Sequence, residues 1–190
     1  MVKMTSRNLS RYAVLSGMFG ALGNALAILS MEVGNLHPQI ALDLSHIGTV
    51  AAAFTMGPWW GGLTGALVSL VPFVRFSLMG FIPIPVGLLI FPGKAMTGIF
   101  VGLIGRKLRP LLAVPLGYIP ESAFTYLVLV LTAKYVLPPE QAVYLSRGVI
   151  LGILGKAWVE ILVMAVIAEI IIPRLKEVVQ GTLRPQLRAR

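Results

Sequence analysis

The sequence alternates between long apolar stretches and short clusters of basic residues. An α-helix of about 20 apolar residues crosses the roughly 30 Å hydrocarbon core of a bilayer, so each stretch is a candidate transmembrane helix. Hydrophobic residues make up 57% of the 190 residues and charged residues only 12%. An average soluble domain has roughly 25% charged residues. One soluble domain of this size cannot bury so much apolar surface, and we predict an all-α membrane protein.

The apolar stretches divide into six predicted spans. Residues 40–80 would reach about 60 Å as one helix, twice the thickness of a bilayer core, so the chain must turn back within them. Gly57-Pro58 is the natural break. The predicted spans of this single domain, 1–190, are residues 9–31, 44–56, 60–80, 84–105, 111–134 and 147–172, followed by a basic tail at 173–190.

Two of these spans have unusual features. Asp43, Ser45 and His46 interrupt the outer end of the second span, which predicts a short or tilted helix. Pro115 and Pro120 lie near the beginning of the fifth span and leave open a start later than residue 111.

The basic residues predict the orientation. The net charge is +9, and most of the cations lie before the first span, at 106–109 after the fourth span, and after the sixth. Cytoplasmic segments carry an excess of Lys and Arg. An even number of spans separates these three clusters, so all of them can lie on one side of the membrane. We therefore predict a multi-pass protein of the cell membrane with both termini in the cytoplasm.

Several chemistries have no support in the sequence. The chain has no cysteine, no HExxH motif and no GxSxG motif. Gly93-Lys94 and Gly155-Lys156 are not phosphate-binding loops, because each lacks the spaced upstream glycine and is followed by Ala. His37 and His46 are interpreted as ordinary polar residues beside the membrane. We therefore predict no enzyme activity, no cofactor and no metal site.

Four ionisable residues lie inside predicted spans. Lys94 and Lys156 each lie roughly 13–15 Å into their helices, counted from the outer side. Glu160 follows Lys156 by four residues and shares its helix face. Glu121 belongs to the inner half of the fifth span. Charged groups in a membrane are costly and mark either mutual pairing or function.

Two interpretations of these charges remain open. In the first, two Lys and two Glu neutralise one another as a structural network. In the second, Lys94 and Lys156 donate to a substrate, Glu160 orients Lys156, and the arginines Arg75 and Arg147 add positive charge at the mouth of a pocket. Asn24, in the middle of the first span, either contacts the ligand or joins two helices. The candidate substrate-binding residues are thus Lys94, Lys156, Glu160, Arg147, Glu121 and Asn24, and their charge favours a carboxylate or phosphate ligand.

The first span also carries small residues at every fourth position. Ala13, Gly17, Ala21 and Ala25 form one ridge, and Ser16, Gly20 and Asn24 form another beside it. Such ridges let a second helix approach closely. The pattern alone is equally typical of packing within the bundle and of contact with a partner.

Four segments together resemble the substrate-binding S components of energy-coupling factor (ECF) transporters. They are Leu-Asp-Leu-Ser-His-Ile at 42–47, the Gly-Pro turn at 57–58, the glycine-rich segment 61–66, and Pro-Gly-Lys-Ala-Met-Thr-Gly at 92–98. The size, the six spans and the basic ends are similar over nearly the whole chain.

The resemblance implies a vitamin-binding membrane subunit whose ligand lies in the outer half of the bundle. It implies a transmembrane coupling subunit and two cytosolic ATPases as partners. In the family, a small-residue motif on the first helix meets the coupling subunit, and Ala13, Gly17, Ala21 and Ala25 match its spacing, with Gly17 in place of the usual Ala. The N-terminal Met-His of the cobalt and nickel branch is not matched by Met1-Val2.

We therefore expect the binding subunit of an importer for an anionic vitamin-like molecule such as pantothenate, biotin or a folate-like carboxylate. A neutral ring compound such as riboflavin is the expectation if the lysines are paired with the glutamates. Two alternatives belong to other classes. One is a stand-alone secondary transporter driven by protons through Glu121 and Glu160, and the other is a membrane scaffold without a small ligand.

Overall fold

The computed structural model describes residues 6–36, 44–80 and 82–183, and within these ranges the secondary structure is entirely helical. The elements, in chain order, are α1 (Ser6–Leu36), α2 (His46–Met56), α3 (Pro58–Val68), α4 (Leu70–Phe73), a π-helix (Val74–Leu78), α5 (Ile84–Gly87), α6 (Ile90–Ile104), α7 (Pro110–Tyr135), α8 (Pro139–Ala142), a 3-10 turn (Val143–Leu145) and α9 (Arg147–Leu183). The prediction of an all-α chain is confirmed.

Five helical segments are long and apolar enough to cross a membrane. They are Leu9–Ser30, Pro58–Leu78, Ile84–Ile104, Pro110–Tyr135 and Pro139–Val179. The predicted second span is α2, whose 11 residues reach only about 17 Å. It is a short helix held between its neighbours, and the bundle consists of five long apolar segments and this short one.

The helices that contain the fifth and sixth predicted spans continue through their prolines. α7 begins at Pro110, close to the predicted start at residue 111, and the later start that Pro115 and Pro120 left open does not occur. α9 continues beyond the predicted end of the sixth span, past Pro173, to Leu183. Its inward-facing apolar stripe does not stop at that proline, since Leu175 still packs against the core and Val179 is buried.

Glycines bring α3 and α6 into backbone contact. A Cβ atom added to Gly98 would lie 2.0 Å from the carbonyl oxygen of Gly61, and one added to Gly65 would lie 2.3 Å from that of Lys94. Both distances are far below a van der Waals contact, so only glycine allows this approach. The contact fixes α6 against α3 and thereby directs Lys94 and Thr97 toward the interior of the bundle.

The core lies between α2, α6, α7 and α9. Val101, Val114, Ile161 and Met164 are almost completely buried there. Many large apolar side chains elsewhere face outward, among them Leu22, Leu127 and Ile170. An apolar exterior of this kind is expected when the helices are surrounded by lipid rather than by water.

Replacing Gly98 by leucine should force α3 and α6 apart. Overpacking of a tight interface costs about 1–3 kcal/mol or more, and the added side chain here meets backbone atoms that cannot rotate away. We expect Gly98→Leu to lower the denaturation midpoint in detergent clearly. Gly152→Leu is the matched control, because a Cβ atom at Gly152 meets no atom within 4 Å. Equal midpoints for the two variants would contradict the backbone contact.

Candidate functional site

The bundle encloses a cavity of about 440 Å³. Its lining comes from α1, α2, α4, the π-helix, α6, α7 and α9, together with the connecting segments. The volume lies within the roughly 300–1,000 Å³ typical of small-molecule sites. The apolar part of the lining includes Ala27, Val71, Pro72, Phe76, Ile82, Ile90, Leu129, Leu145, Ile153, Ala157, Ile161 and Met164, and the polar part includes Ser30, His46, Arg75, Lys94, Tyr118, Glu121, Thr125, Lys156 and Glu160.

Three lining residues, His46, Lys94 and Glu121, form a buried polar cluster together with Ser45 and Thr97. The Lys94 Nζ donates to Ser45 Oγ at 2.8 Å, and the Thr97 hydroxyl donates to the Glu121 carboxylate. The Nε2 atom of His46 lies 3.5 Å from Glu121 Oε1. Each of the five side chains belongs to a residue that is less than 9% exposed.

Local structure explains how these groups meet. Lys94 and Thr97 are three residues apart on α6, so their side chains project from one face of that helix. The chain turns at Ser45 into α2. His46 is the first residue of this helix and lies beside Glu121. Glu121 reaches them from the middle of α7. Three helices thus supply a carboxylate, an imidazole and an ammonium group to one buried cluster.

Two further cations of the cavity lining, Arg75 and Lys156, are exposed. Lys156 has a side chain that is 51% exposed, and its Nζ lies 3.8 Å from Glu160 Oε1, which belongs to a side chain that is only 10% exposed. Arg75 is exposed and lies in the π-helix, with its guanidinium carbon 5.6 Å from the centre of the Phe76 ring. We call Arg75 and Lys156 the mouth of the cavity.

The π-helix explains why two consecutive residues, Arg75 and Phe76, both line the cavity. Its wider turn runs from the carbonyl of Val74 to the amide of Met79, with a hydrogen bond of 2.9 Å. Short π-helical insertions occur frequently at functional sites, where they redirect side chains. Here the insertion adds a cation and an aromatic ring to the cavity wall.

The charges of the lining do not cancel. Arg75, Lys94 and Lys156 are cationic, whereas Glu121 and Glu160 are the only carboxylates among the lining residues that the structure describes. Three cations against two carboxylates leave the cavity with an excess of at least one positive charge. A low-dielectric cavity with such an excess favours an anionic occupant over a neutral or cationic one.

The structure brings four of the six predicted site residues together around this cavity: Lys94, Glu121, Lys156 and Glu160. Glu160 is the carboxylate next to Lys156. Lys94 and Glu121 belong to the same buried polar cluster, in which Lys94 donates to Ser45 and Glu121 contacts His46 and Thr97.

The other two predicted site residues lie outside the lining. Arg147 is exposed at the first residue of α9. Asn24 joins helices: its Nδ2 donates to Leu67 O at 2.8 Å, and its Oδ1 accepts from Val71 N at 3.1 Å. An uninterrupted helix would pair these two backbone groups with each other, so the Asn24 amide bridges the break between α3 and α4. The sequence left two roles open for Asn24, contact with the ligand or the joining of two helices, and the structure shows the second.

The positions of His46 and Arg75 in the cavity lining were not predicted from the sequence. The interpretation of His46 as an ordinary polar residue is wrong, because it is 7% exposed and belongs to the buried polar cluster. Arg75 was expected only as additional charge, and the π-helix that carries it left no recognisable pattern. Asp43 and His37 lie outside the described residues.

The two small-residue ridges of α1 face in different directions. Ala13, Gly17, Ala21 and Ala25 are all exposed, and a Cβ atom at Gly17 would meet nothing within 4 Å. On the neighbouring ridge, a Cβ atom at Gly20 would lie 2.9 Å from Leu67 Cβ. The second ridge therefore packs within the bundle, whereas the first leaves an open surface, which we call the outer ridge.

Comparisons of this chain with family models, with curated proteins and with solved structures gave no match. Within residues 6–36, 44–80 and 82–183, no group of three or more His, Cys, Asp or Glu side chains is arranged to hold a metal ion. Function has therefore to be inferred from the cavity, its charges and the outer ridge.

The two lysines of the cavity should differ in their contribution to stability. Lys94→Met removes the donor to Ser45 from a buried cluster, and leaving buried polar groups without a partner costs about 1–3 kcal/mol. Lys156→Met removes a half-exposed ion pair, which is worth about 0.2–1 kcal/mol. We expect a clear loss of thermal stability in detergent for the first variant and a small one for the second. The reverse order would contradict the assignment of Lys94 to the buried cluster.

Proposed function

We propose that this chain is the substrate-binding S component of an ECF-type importer, and that its ligand is a vitamin or vitamin-like small molecule with a carboxylate or other anionic group. The observation that carries the proposal is the cavity of about 440 Å³, with apolar walls and an excess of at least one positive charge. A site of this kind suits a ligand with an apolar body and one negative group.

The mouth of the cavity is the best location for the anionic group. An ammonium group has three donors, and Glu160 lies beside Lys156 at 3.8 Å, so Lys156 keeps donors available while its position is held. Arg75 is a second exposed cation of the lining, and its guanidinium group can bind carboxylates and phosphates in a bidentate manner. The apolar body of the ligand would then rest against Phe76 and Ile153.

The outer ridge supports the proposed partners. An ECF importer requires a transmembrane coupling subunit and two cytosolic ATPases, and the resemblance assigns a small-residue motif on the first helix to the coupling subunit. The open surface at Gly17 suits close approach of such a helix. The proposed reaction is transport without covalent chemistry in this subunit, in the cell membrane, with both termini in the cytoplasm as the basic clusters predict.

One observation favours the alternative of a stand-alone proton-driven carrier. The contact of His46 with Glu121 combines two groups that exchange protons, inside a helical bundle and next to a cavity. Such a carrier would transport its substrate in vesicles without any ATPase. The absence of saturable binding, in turn, would favour a scaffold.

A thermal-shift screen of the purified protein against vitamins and their precursors tests the binding function. A ligand at about one hundred times its dissociation constant stabilises the folded state by roughly 2.7 kcal/mol. We expect at least one anionic compound to do so and Lys156→Ala to weaken this effect strongly. Lys134→Ala is the matched control, because Lys134 is exposed and lies over the Tyr135 ring outside the cavity lining.

If no compound of the panel stabilises well-folded protein, or if Lys156→Ala binds the ligand as tightly as the wild-type protein, the proposal of an anion-binding cavity is contradicted. Uptake of the hit into vesicles that contain this chain alone, dependent on a proton gradient, would establish the carrier instead.

The outer ridge is tested by Gly17→Leu. A leucine at this position would fill the open surface and keep a partner helix at a distance, so co-purification with a co-expressed coupling subunit and its ATPases should fall severalfold, while ligand binding stays unchanged. Gly148→Leu serves as the control, since a Cβ atom at Gly148 also meets nothing within 4 Å but lies on α9. Unchanged assembly of Gly17→Leu would remove the outer ridge from the partner interface.

A further inference from the structure

One end of the bundle carries a group of cations that the proposed binding function does not use. It consists of four residues, which we call the basic end: Arg106, Lys107, Arg109 and Lys176. The first three are exposed and lie in the turn between α6 and α7. Lys176 is partly exposed and lies in the part of α9 beyond Pro173. These two segments are far apart in the sequence, and only the fold brings them together.

The Phe54 ring joins the two segments. It packs against the end of α6, where a Cβ atom added to Gly105 would lie 2.5 Å from Phe54 Cε1. The Nζ atom of Lys176 lies 5.0 Å from the centre of the same ring. Lys176 is therefore beside the turn that carries the other three cations. The cation–π contact holds the ammonium group over the ring and leaves its N–H groups available as donors.

Hydrogen bonds hold the turn and α9 in place. The Lys107 amide donates to Ile104 O at 3.0 Å and closes the turn after α6. The Leu111 amide, at the start of α7, donates to the Glu169 carboxylate of α9 at 2.8 Å. Glu169 is thereby engaged with the backbone of the neighbouring helix. The cations of the basic end are thus presented by a defined framework of three helices.

The basic end has no carboxylate to neutralise it. Within residues 6–36, 44–80 and 82–183, none of its four side chains forms an ion pair with an Asp or Glu. Like charges gathered at one place repel one another, and the repulsion falls when an anion binds among them. The basic end is therefore suited to an anionic partner from outside the chain.

The basic end lies at the level where lipid headgroups are expected. A Cβ atom added to Gly102, close to the end of α6, would lie 2.5 Å from Pro58 Cα. The end of α6 is therefore next to the start of α3, where Trp59 is 78% exposed. Tryptophan is enriched at the boundary between the hydrocarbon core and the headgroups of a membrane. On the helices that flank the turn, Leu103 and Leu112 are exposed.

We propose that the basic end binds the phosphate group of an anionic phospholipid. A phosphate accepts charge-assisted hydrogen bonds from Lys and Arg side chains, and clusters of such residues next to membrane helices bind anionic headgroups. The acyl chains of the same molecule cover the exposed Leu103 and Leu112. An acidic segment of a soluble protein would neutralise the cations but leave these apolar side chains uncovered, so the lipid fits better. This role does not rest on the proposed transport function.

The site also gives a role to the continuation of α9 past Pro173. Ending the helix at that proline would remove Lys176 from the Phe54 ring and leave only the cations of the turn. The basic end is thus a feature of the folded bundle and not of one basic segment of the sequence.

The preference for an anionic headgroup is tested with lipid-stripped protein in a neutral detergent. Native mass spectrometry counts the lipid molecules that the protein retains when phosphatidylglycerol or phosphatidylcholine with identical acyl chains is added. These two lipids differ in headgroup charge and not in their apolar part. We expect phosphatidylglycerol to stay bound at concentrations at which phosphatidylcholine is lost. Equal retention of the two lipids would overturn the inference.

Lys176→Gln tests whether the fold creates the site. Loss of one cation near an anionic headgroup weakens binding about fivefold. Arg174→Gln is the matched control, because it removes the same charge from the same helix. Arg174 is exposed and precedes Lys176 by two residues, which places it on nearly the opposite face of α9. We expect weaker retention of phosphatidylglycerol in Lys176→Gln and little change in Arg174→Gln. Equal losses would show a response to total charge alone and overturn the site.

Arg109→Gln is a second variant that leaves the contact of Lys176 with Phe54 untouched. Arg109 is exposed, so its replacement spares the packing of the bundle. We expect it to weaken the retention of phosphatidylglycerol to a similar degree. Unchanged retention in folded Arg109→Gln protein would remove the turn from the site and overturn the inference.

A protein partner at the basic end gives a different pattern. If Lys176→Gln keeps phosphatidylglycerol but loses the co-expressed coupling subunit and ATPases, the surface is a protein interface and the lipid inference is overturned. Lys176 is not among the described residues that line the cavity, so Lys176→Gln should respond to the vitamin panel as the wild type does. A panel without any hit, together with retained phosphatidylglycerol, would overturn the proposed transport function and leave the basic end supported.

Discussion

The close approach of α3 and α6 is the contact on which the rest of the structure depends. Glycines at 61, 65 and 98 allow the two backbones to touch, where any larger residue would separate them. In lipid there is little hydrophobic drive between helices, so association depends on such packing and on interhelical hydrogen bonds. The contact holds one face of α6 against α3 and turns the adjacent face, with Lys94 and Thr97, toward α2 and α7. The buried polar cluster exists because that rotation of α6 is fixed.

The polar groups of the interior are distributed unevenly around the cavity. On the buried side, each charged or titratable group has a partner within the cluster: Lys94 has Ser45, and Glu121 has Thr97 and His46. Burying charge in a low dielectric is costly unless hydrogen bonds compensate for it. The exposed cations of the mouth, Arg75 and Lys156, retain contact with the surroundings and need less compensation. The site therefore combines a buried polar cluster, whose charged groups have hydrogen-bond partners, with exposed cations at the mouth. This arrangement is expected when the entering molecule supplies the missing negative charge.

Much of the fold followed from the hydropathy pattern, because span length is imposed by the bilayer rather than by details of packing. The shortness of the second helix was also predictable, since polar residues begin directly at its outer end. The continuation of α9 past Pro173 was not predictable. A proline inside a helix is tolerated only when neighbouring groups satisfy the backbone groups that it leaves unpaired, and those neighbours are unknown from sequence. The ionisable residues Lys94, Lys156, Glu121 and Glu160 were recognisable because they interrupt long apolar stretches. The role of His46 was not recognisable, because a histidine next to a predicted span has no distinctive pattern. Only the rotation of α2 brings this residue to the cavity.

The central claim is that the cavity holds a small anionic molecule, and native mass spectrometry tests it most directly. Wild-type protein would be incubated with a metabolite extract, washed, and compared with Ala157→Trp, which places an indole into the cavity lining. The account predicts one added mass on the wild-type protein, identified by fragmentation as a carboxylate or phosphate compound, and its loss from the tryptophan variant. The same added mass on both proteins, or no addition other than lipid on folded wild-type protein, would contradict the claim.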